Sequence, residues 1–276
     1  MSRPLILLGL SLASAVAEAP PESASIELFA PPTAMEPLTD PKAPVLPRPK
    51  TTLWSIGAPT NEEQYYLELI NRARANPAAE GARLAALTDP DVLTAYDYWK
   101  VNLAQMQTEM AALGTGAPLA MNAKLLQSSR AHSLDQFTNS FQGHVGSNGS
   151  TISARYAAAG YSAAFMAENV YVQSKSTAYG HAGFEVDWGN GSGGMQPDRG
   201  HRAIIPAGFR EVGIGIYEGT KSSGAYGPQV VTQDFGVMSG TITPYVTGVA
   251  YYDFNANNFY DPGEGLGGVT VTVDGS

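Results

Sequence analysis

The sequence predicts an α+β domain of layered helices and strands, on three observations. A helical pattern opens at Thr60 and runs, with breaks, as far as Trp188. The apolar positions then switch to alternation, at Val212, Ile214 and Ile216 and again at Val230, Thr232 and Asp234. Helices with a few strands arriving late do not suit a doubly wound sheet, which alternates the two throughout. No internal repeat is visible.

The elements follow in order. Thr60 and Glu63 fit a capping box ahead of NEEQYYLELINRARAN, where Leu67, Ile70 and Arg74 fall at helical intervals. Pro77 ends that helix or starts the next, PAAEGARLAAL. Asp91 to Leu113 reads as a helix, with Ala, Leu and Met prominent. Asn122 caps a further helix to roughly Phe141, where glycines break the pattern. A loop and short helix (Gly143 to Gly160), an apolar run around Val170 and a helix-like segment from Thr177 to Trp188 come next. The glycine-rich loop Gly189–Gly194 precedes the alternating strands.

Residues 1–17 read as a secretory signal peptide. Arg3 supplies the positive start, Leu5 to Val16 the short apolar stretch and Ala15-Val16-Ala17 a small-x-small cleavage site. That apolar stretch is too short to span a bilayer comfortably, and no later segment reaches spanning length, so no membrane span is expected. Residues 18–59 are dense in proline, which removes backbone donors and fixes φ, so the segment reads as an extended linker. A secreted chain with no Cys draws its stability from a sizeable core or from bound ions, and its composition points to a bacterial source. The net charge of -9 argues against gripping nucleic acid and favours cationic ligands, calcium included.

Five blocks stand in a telling order: PLAMNAKLLQSSRAHSLDQF, GHVGSNGSTISARYAAAGY, AENV, DRGHRAIIPAGFREVGIGIY and VVTQDFG. Together they resemble the bacterial type of CAP domain, the SCP-like extracellular domain, over residues 60–237. The resemblance implies a three-layer α-β-α sandwich with a mainly antiparallel central sheet. It also implies an open cleft lined by two histidines and two acidic residues. His144, before the Gly-Ser loop, matches the first histidine, and His201 of the Gly-His-Arg block matches the second. Glu168 of the Glu-Asn pair matches one acid. The other acid is open between Asp187, Glu185 and Glu211. Asp187 is slightly favoured because it adjoins Trp188 at the turn into the cleft, and Glu211 opens a strand nearby.

Such residues bind a zinc-like cation through neutral imidazoles, or act as acid and base on a ligand. No His-Glu-x-x-His occurs, and catalytic zinc usually takes three protein ligands, so the zinc expectation is the weaker. His132 reads as an ordinary hydrogen-bonded helix residue, and His181 as a surface partner of Glu185 four residues on. There is no Gly-x-Ser-x-Gly elbow, cysteine nucleophile or phosphate-cradling glycine loop.

The tail, residues 240–276, carries DFNANNFYDPGE, the twelve-residue calcium-loop pattern. Asp253, Asn255 and Asn257 take positions one, three and five; the Phe259 carbonyl, Asp261 and Glu264 take seven, nine and twelve. Asn258 replaces the usual glycine, which Asn permits because it visits the left-handed region. The strand-like flanks resemble part of an adhesin B-type β module. The expectation is a secreted protein that binds an extracellular ligand or cell-surface component, or a divalent cation, in its cleft, and calcium in its tail. Two rivals are an extracellular hydrolase of peptide or cell-wall material, with Glu168 as base and a histidine as acid, and a non-catalytic adhesion scaffold.

Overall fold

A computed structural model describes residues 9–11, 55–222, 224–240 and 244–269. All of them fall in one compact unit, Met1–Ala13 with Ser55–Ser276; the other unit is Ser14–Trp54. The signal-peptide and linker assignments therefore lie outside the described residues, apart from 9–11 and 55–59.

The first helix, α1 (Asn61–Ala75), starts where its capping box requires. Glu63 N donates to Thr60 Oγ1 at 3.2 Å and Thr60 N to Glu63 Oε2 at 2.7 Å. Pro77 opens α2 (Pro77–Ala85), with Asn76 as its cap. The stretch from Asp91 to Leu113 is two helices, α3 (Pro90–Trp99) and α4 (Leu103–Ala111). Lys100 stands between them in the left-handed region at φ 56, and Asn102 caps the second, so the local chemistry of two residues overrides a continuous propensity. Asn122 caps α5 (Ala123–Asn139), and α6 (Ile152–Ala158) follows. The apolar run around Val170 is a strand, Ala163–Ser174, and α7 (Thr177–Val186) ends one residue before Asp187.

The sheet comprises β1 (Gly9–Ser11), β2 (Ala120–Met121), β3 (Ala163–Ser174), β4 (Glu211–Glu218) and β5 (Gln229–Met238), in the order β1-β3-β5-β4-β2. Its pairings are antiparallel except β2 with β4, which makes the sheet mixed and the class α+β. In β4 the odd positions Gly213 and Gly215 face α5 so closely that a Cβ at Gly213 would lie 2.0 Å from the Leu125 carbonyl carbon. The even positions Val212 and Ile214 enter the main core with Tyr66, Leu67 and Ile70 of α1 and Phe184 and Val186 of α7. A smaller cluster joins Leu125, Ile152, Tyr156 and Tyr161. Arg74, 1% exposed, ties α1 to the turn before β4 by donating to the carbonyls of Ala117, Ile204, Ala207 and Phe209.

In the tail, the described part of the loop's flanks is joined by a bridge between Tyr251 and Gly265, and the strand reading of residues 270–273 lies outside the described residues. Tyr252 N donates to Glu264 O and Leu266 N to Ala250 O, which extends that pairing to either side of the bridge. The tail rests on the main body through Tyr245, which donates to Glu211 at 3.0 Å, and Phe259, whose ring lies 4.4 Å from the Arg72 guanidinium. Among the described residues no helix is long and apolar enough to cross a membrane.

Candidate functional site

Strand β3 carries Glu168 into the layer of α5 and α6, with its side chain fully buried. Three cations or potential cations gather on it. His144 Nδ1 donates to Glu168 Oε1 at 2.9 Å, and the Arg155 guanidinium of α6 donates to Oε2. His132 of α5 approaches to 3.9 Å while its Nε2 donates to the Gly143 carbonyl at 2.8 Å. That bond pins the start of the loop bearing His144, so His132 is the hydrogen-bonded helix residue expected of it and also a neighbour of the site. Arg155 supports the same loop by donating to the His144 carbonyl at 2.9 Å. The His144 side chain, 17% exposed, is the most exposed member of the group.

Burial raises the Glu168 pKa to about 7, against the opposing pull of Arg155. It also lowers that of His132 to about 4, with the Arg155 charge adding to the effect. Across the sheet, Asp234 is the direct strand partner of Glu168, so the two buried carboxyls leave the same face, and neither Asp234 oxygen has a hydrogen-bond partner among the described residues. Asp234 escaped notice in the sequence, where its alternation marked it only as a strand position. The signal was its register: paired strands put a second acid beside the first.

His201 belongs to a different cluster. Asp187 ends α7 in the left-handed region at φ 59 and turns its carboxylate on His201, taking the backbone N–H at 3.0 Å and Nδ1–H at 2.7 Å. The His201 ring packs on Phe184 at 5.5 Å, and Phe184 packs on Tyr171 of β3 at 6.0 Å. Tyr171 lies three residues beyond Glu168, hence on the opposite face of the strand. The two predicted cleft histidines thus sit in separate imidazole–carboxylate pairs, His144 with Glu168 and His201 with Asp187, attached to opposite faces of β3. His201 Nε2 is buried and has no hydrogen-bond partner among the described residues.

The other candidate acids lie elsewhere. Glu185 faces a buried group in which His181 Nε2 donates to Glu80 Oε1 at 3.0 Å, while Glu185 itself stays 4.0 Å from His181 Nδ1. His181 is therefore not the surface residue its i, i+4 spacing suggests; α2 covers that face of α7. Burial and the Glu80 charge push the Glu185 pKa well above the carboxylate range. Glu211 opens β4, but its carboxylate is spent on Asn122, Tyr161 and Tyr245.

In the tail loop, Asp253 accepts the N–H groups of Asn257 and Asn258 at 3.0 and 2.8 Å. Asn255 and Asn257 each accept the N–H two residues on, and Glu264 accepts from Phe254 and Asp261. Asp261 accepts the side-chain amides of Asn255 and Asn257. Asn258 is left-handed at φ 59, as its replacement of glycine requires. Among the described residues no three His, Cys, Asp or Glu side chains close into a metal-holding group. The six positions of the loop pattern carry three carboxylates, two side-chain amides and one backbone carbonyl, all of them oxygen donors.

No family model and no curated protein matches the chain. Among solved structures it is similar to an extracellular protein containing an SCP domain from Bacillus anthracis, at 18% identity and a TM-score of 0.35. The match covers 54% of this chain and 44% of that one, so the chain spans under half the length of the structure it matches.

Proposed function

We propose that the described body is a CAP-type domain of an extracellular protein, and that it binds a ligand at the His144–Glu168 pair. The observation that carries this is a partly exposed imidazole whose Nδ1 donates at 2.9 Å to a fully buried carboxylate. Such a pair fixes the ring tautomer and makes Nε2, itself buried, the basic nitrogen of the ring. The three-layer reading of the fold is supported by α5 on the glycine face of β4 and by α1 and α7 on its Val212 and Ile214 face. The zinc reading rests on the histidines alone, and their two pairs are attached to opposite faces of β3, so His144 and His201 do not share one site. Calorimetry with zinc on the wild type and on the His144→Ala, His201→Ala double variant decides it: we expect no zinc heat in either. A zinc heat lost in the variant would replace our reading.

The hydrolase alternative shares the pair, because a carboxylate-oriented imidazole is also a general base. Turnover of a broad peptide library that is lost with Glu168→Gln would establish it; intact peptides leave binding as the function. For the tail we propose a calcium site at Asp253, Asn255, Asn257, the Phe259 carbonyl, Asp261 and Glu264, supported by the left-handed Asn258 and an all-oxygen donor set. Its occupation would steady an adhesive tail against the domain.

A further inference from the structure

We infer that Asp234 is a buried, protonated acid that donates its proton to Glu168 and thereby orients the Glu168 charge toward His144. This deepens the binding reading and rests on it: Asp234 touches no ligand and acts through Glu168 as a positioning residue.

The geometry leaves little choice. Asp234 and Glu168 are direct cross-strand partners on the antiparallel pair β3–β5, so their side chains leave the same face of the sheet. Both residues are 0% exposed. No N–H group donates to either Asp234 oxygen among the described residues. No hydroxyl donates to it either, since the buried Ser128 hydroxyl has no hydrogen-bond partner among the described residues, and its cross-strand neighbour is the Glu168 carboxyl. Two buried carboxyls side by side on one face of a sheet do not both ionise, so one of them carries the proton. Glu168 is the one that keeps its charge, because Arg155 and His144 both donate to it. Asp234 has no such partners, and an unpaired buried carboxylate is far costlier than a buried acid.

Every element around the pair agrees. From α5 come Ser128 and His132, and the burial of His132 favours its neutral form. From α6 come Arg155 and Tyr156, whose hydroxyl donates to the carbonyls of Ala167 and Phe235 and leaves the acids alone. The loop supplies His144, and Gly213 of β4 lies opposite Asp234 without a side chain. Arg155 therefore balances a single negative charge. Its counter-ion is Glu168, and the proton on Asp234 holds the Glu168 carboxylate in the plane from which it meets the His144 ring.

Infrared spectra of the intact protein at neutral pH, without ligand, test this. Subtracting Asp234→Asn from wild type should reveal a carboxylic-acid carbonyl band that the variant has lost. A second readout is the His144 tautomer from long-range proton–nitrogen correlation. Asparagine donates as the protonated acid does, so the tautomer should survive in Asp234→Asn and become mixed in Asp234→Ala. An unchanged infrared band, or a His144 tautomer indifferent to Asp234→Ala, overturns the proposal. Should the alanine variant fail to fold, the asparagine spectrum alone decides. Neither readout uses a ligand, so failure here with ligand binding at His144 intact removes only the role of Asp234.

Discussion

At the scale of single residues, the same carboxylate chemistry gives opposite outcomes according to what surrounds it. Glu211 is quenched by three donors, Asp187 by one histidine taken through two hydrogen bonds, while Glu185 has Arg74 and Arg202 nearby but no bonded cation. Because Glu185 has a raised folded pKa, its protonated form supports the fold below the unfolded value of about 4. That support is lost as the pH climbs through the folded pKa. Glu185→Gln should therefore match wild type in urea unfolding at pH 5 and exceed it at pH 9; a variant weaker at both values would show the carboxyl to be ionised. Arg74 presents the reverse case, a buried cation whose partners are carbonyls alone. Arg74→Met should cost about 3 kcal/mol or more, since each stranded buried acceptor costs roughly 1–3 kcal/mol, and denaturant melts would measure it.

At the scale of elements, close approach decides the architecture. The alternation Gly213, Gly215 within β4 lets α5 lie directly on the sheet backbone. Gly213→Ala should destabilise by about 1–3 kcal/mol or more through overpacking, and chemical denaturation would read it. An unchanged midpoint would mean that α5 sits farther out. Tail and domain meet where Phe259 lies over Arg72, a residue that also holds Glu80. If calcium fills the loop at one hundred times its dissociation constant, linkage adds about 2.7 kcal/mol to whatever unfolds with it. Calcium should thus raise the melting temperature of the wild type, and of Phe259→Ala less, because the loop is then undocked. Helix starts were legible in the sequence wherever a cap announced them, at Thr60, Asn122 and Pro77. The break at Lys100 was not, since nothing in a run of helix formers marks a left-handed lysine. Val170 sits in a continuous apolar run that periodicity alone assigns to neither helix nor strand. The alternation in the tail flanks is met among the described residues by the bridge of Tyr251 with Gly265, and the second flank continues beyond the described residues.

For the whole molecule, the candidate pairs sit on either face of the sheet's central strands, which no linear pattern displays. The order of blocks pointed to His144, Glu168 and His201. It could not tell that Tyr171 and Glu168 face opposite ways, nor that register sets Asp234 beside Glu168. The buried acids also shape overall stability. Glu168, raised to about 7, contributes fully below the unfolded carboxylate value and loses its contribution as pH rises through 7. His132, lowered to about 4, contributes above its unfolded value of about 6.5 and loses that as pH falls toward 4. Stability should therefore fall as pH rises from the unfolded carboxylate value through 7, the three raised acids Glu168, Asp234 and Glu185 outweighing the opposing gain from His132; denaturant melts that show stability rising over that window would contradict these protonation states. The most direct test of the account is the tautomer of His144 in the wild-type protein at neutral pH, read by long-range proton–nitrogen correlation. A proton held on Nδ1 and directed at Glu168 is the expected result; a ring protonated mainly on Nε2, as in free histidine, would contradict it.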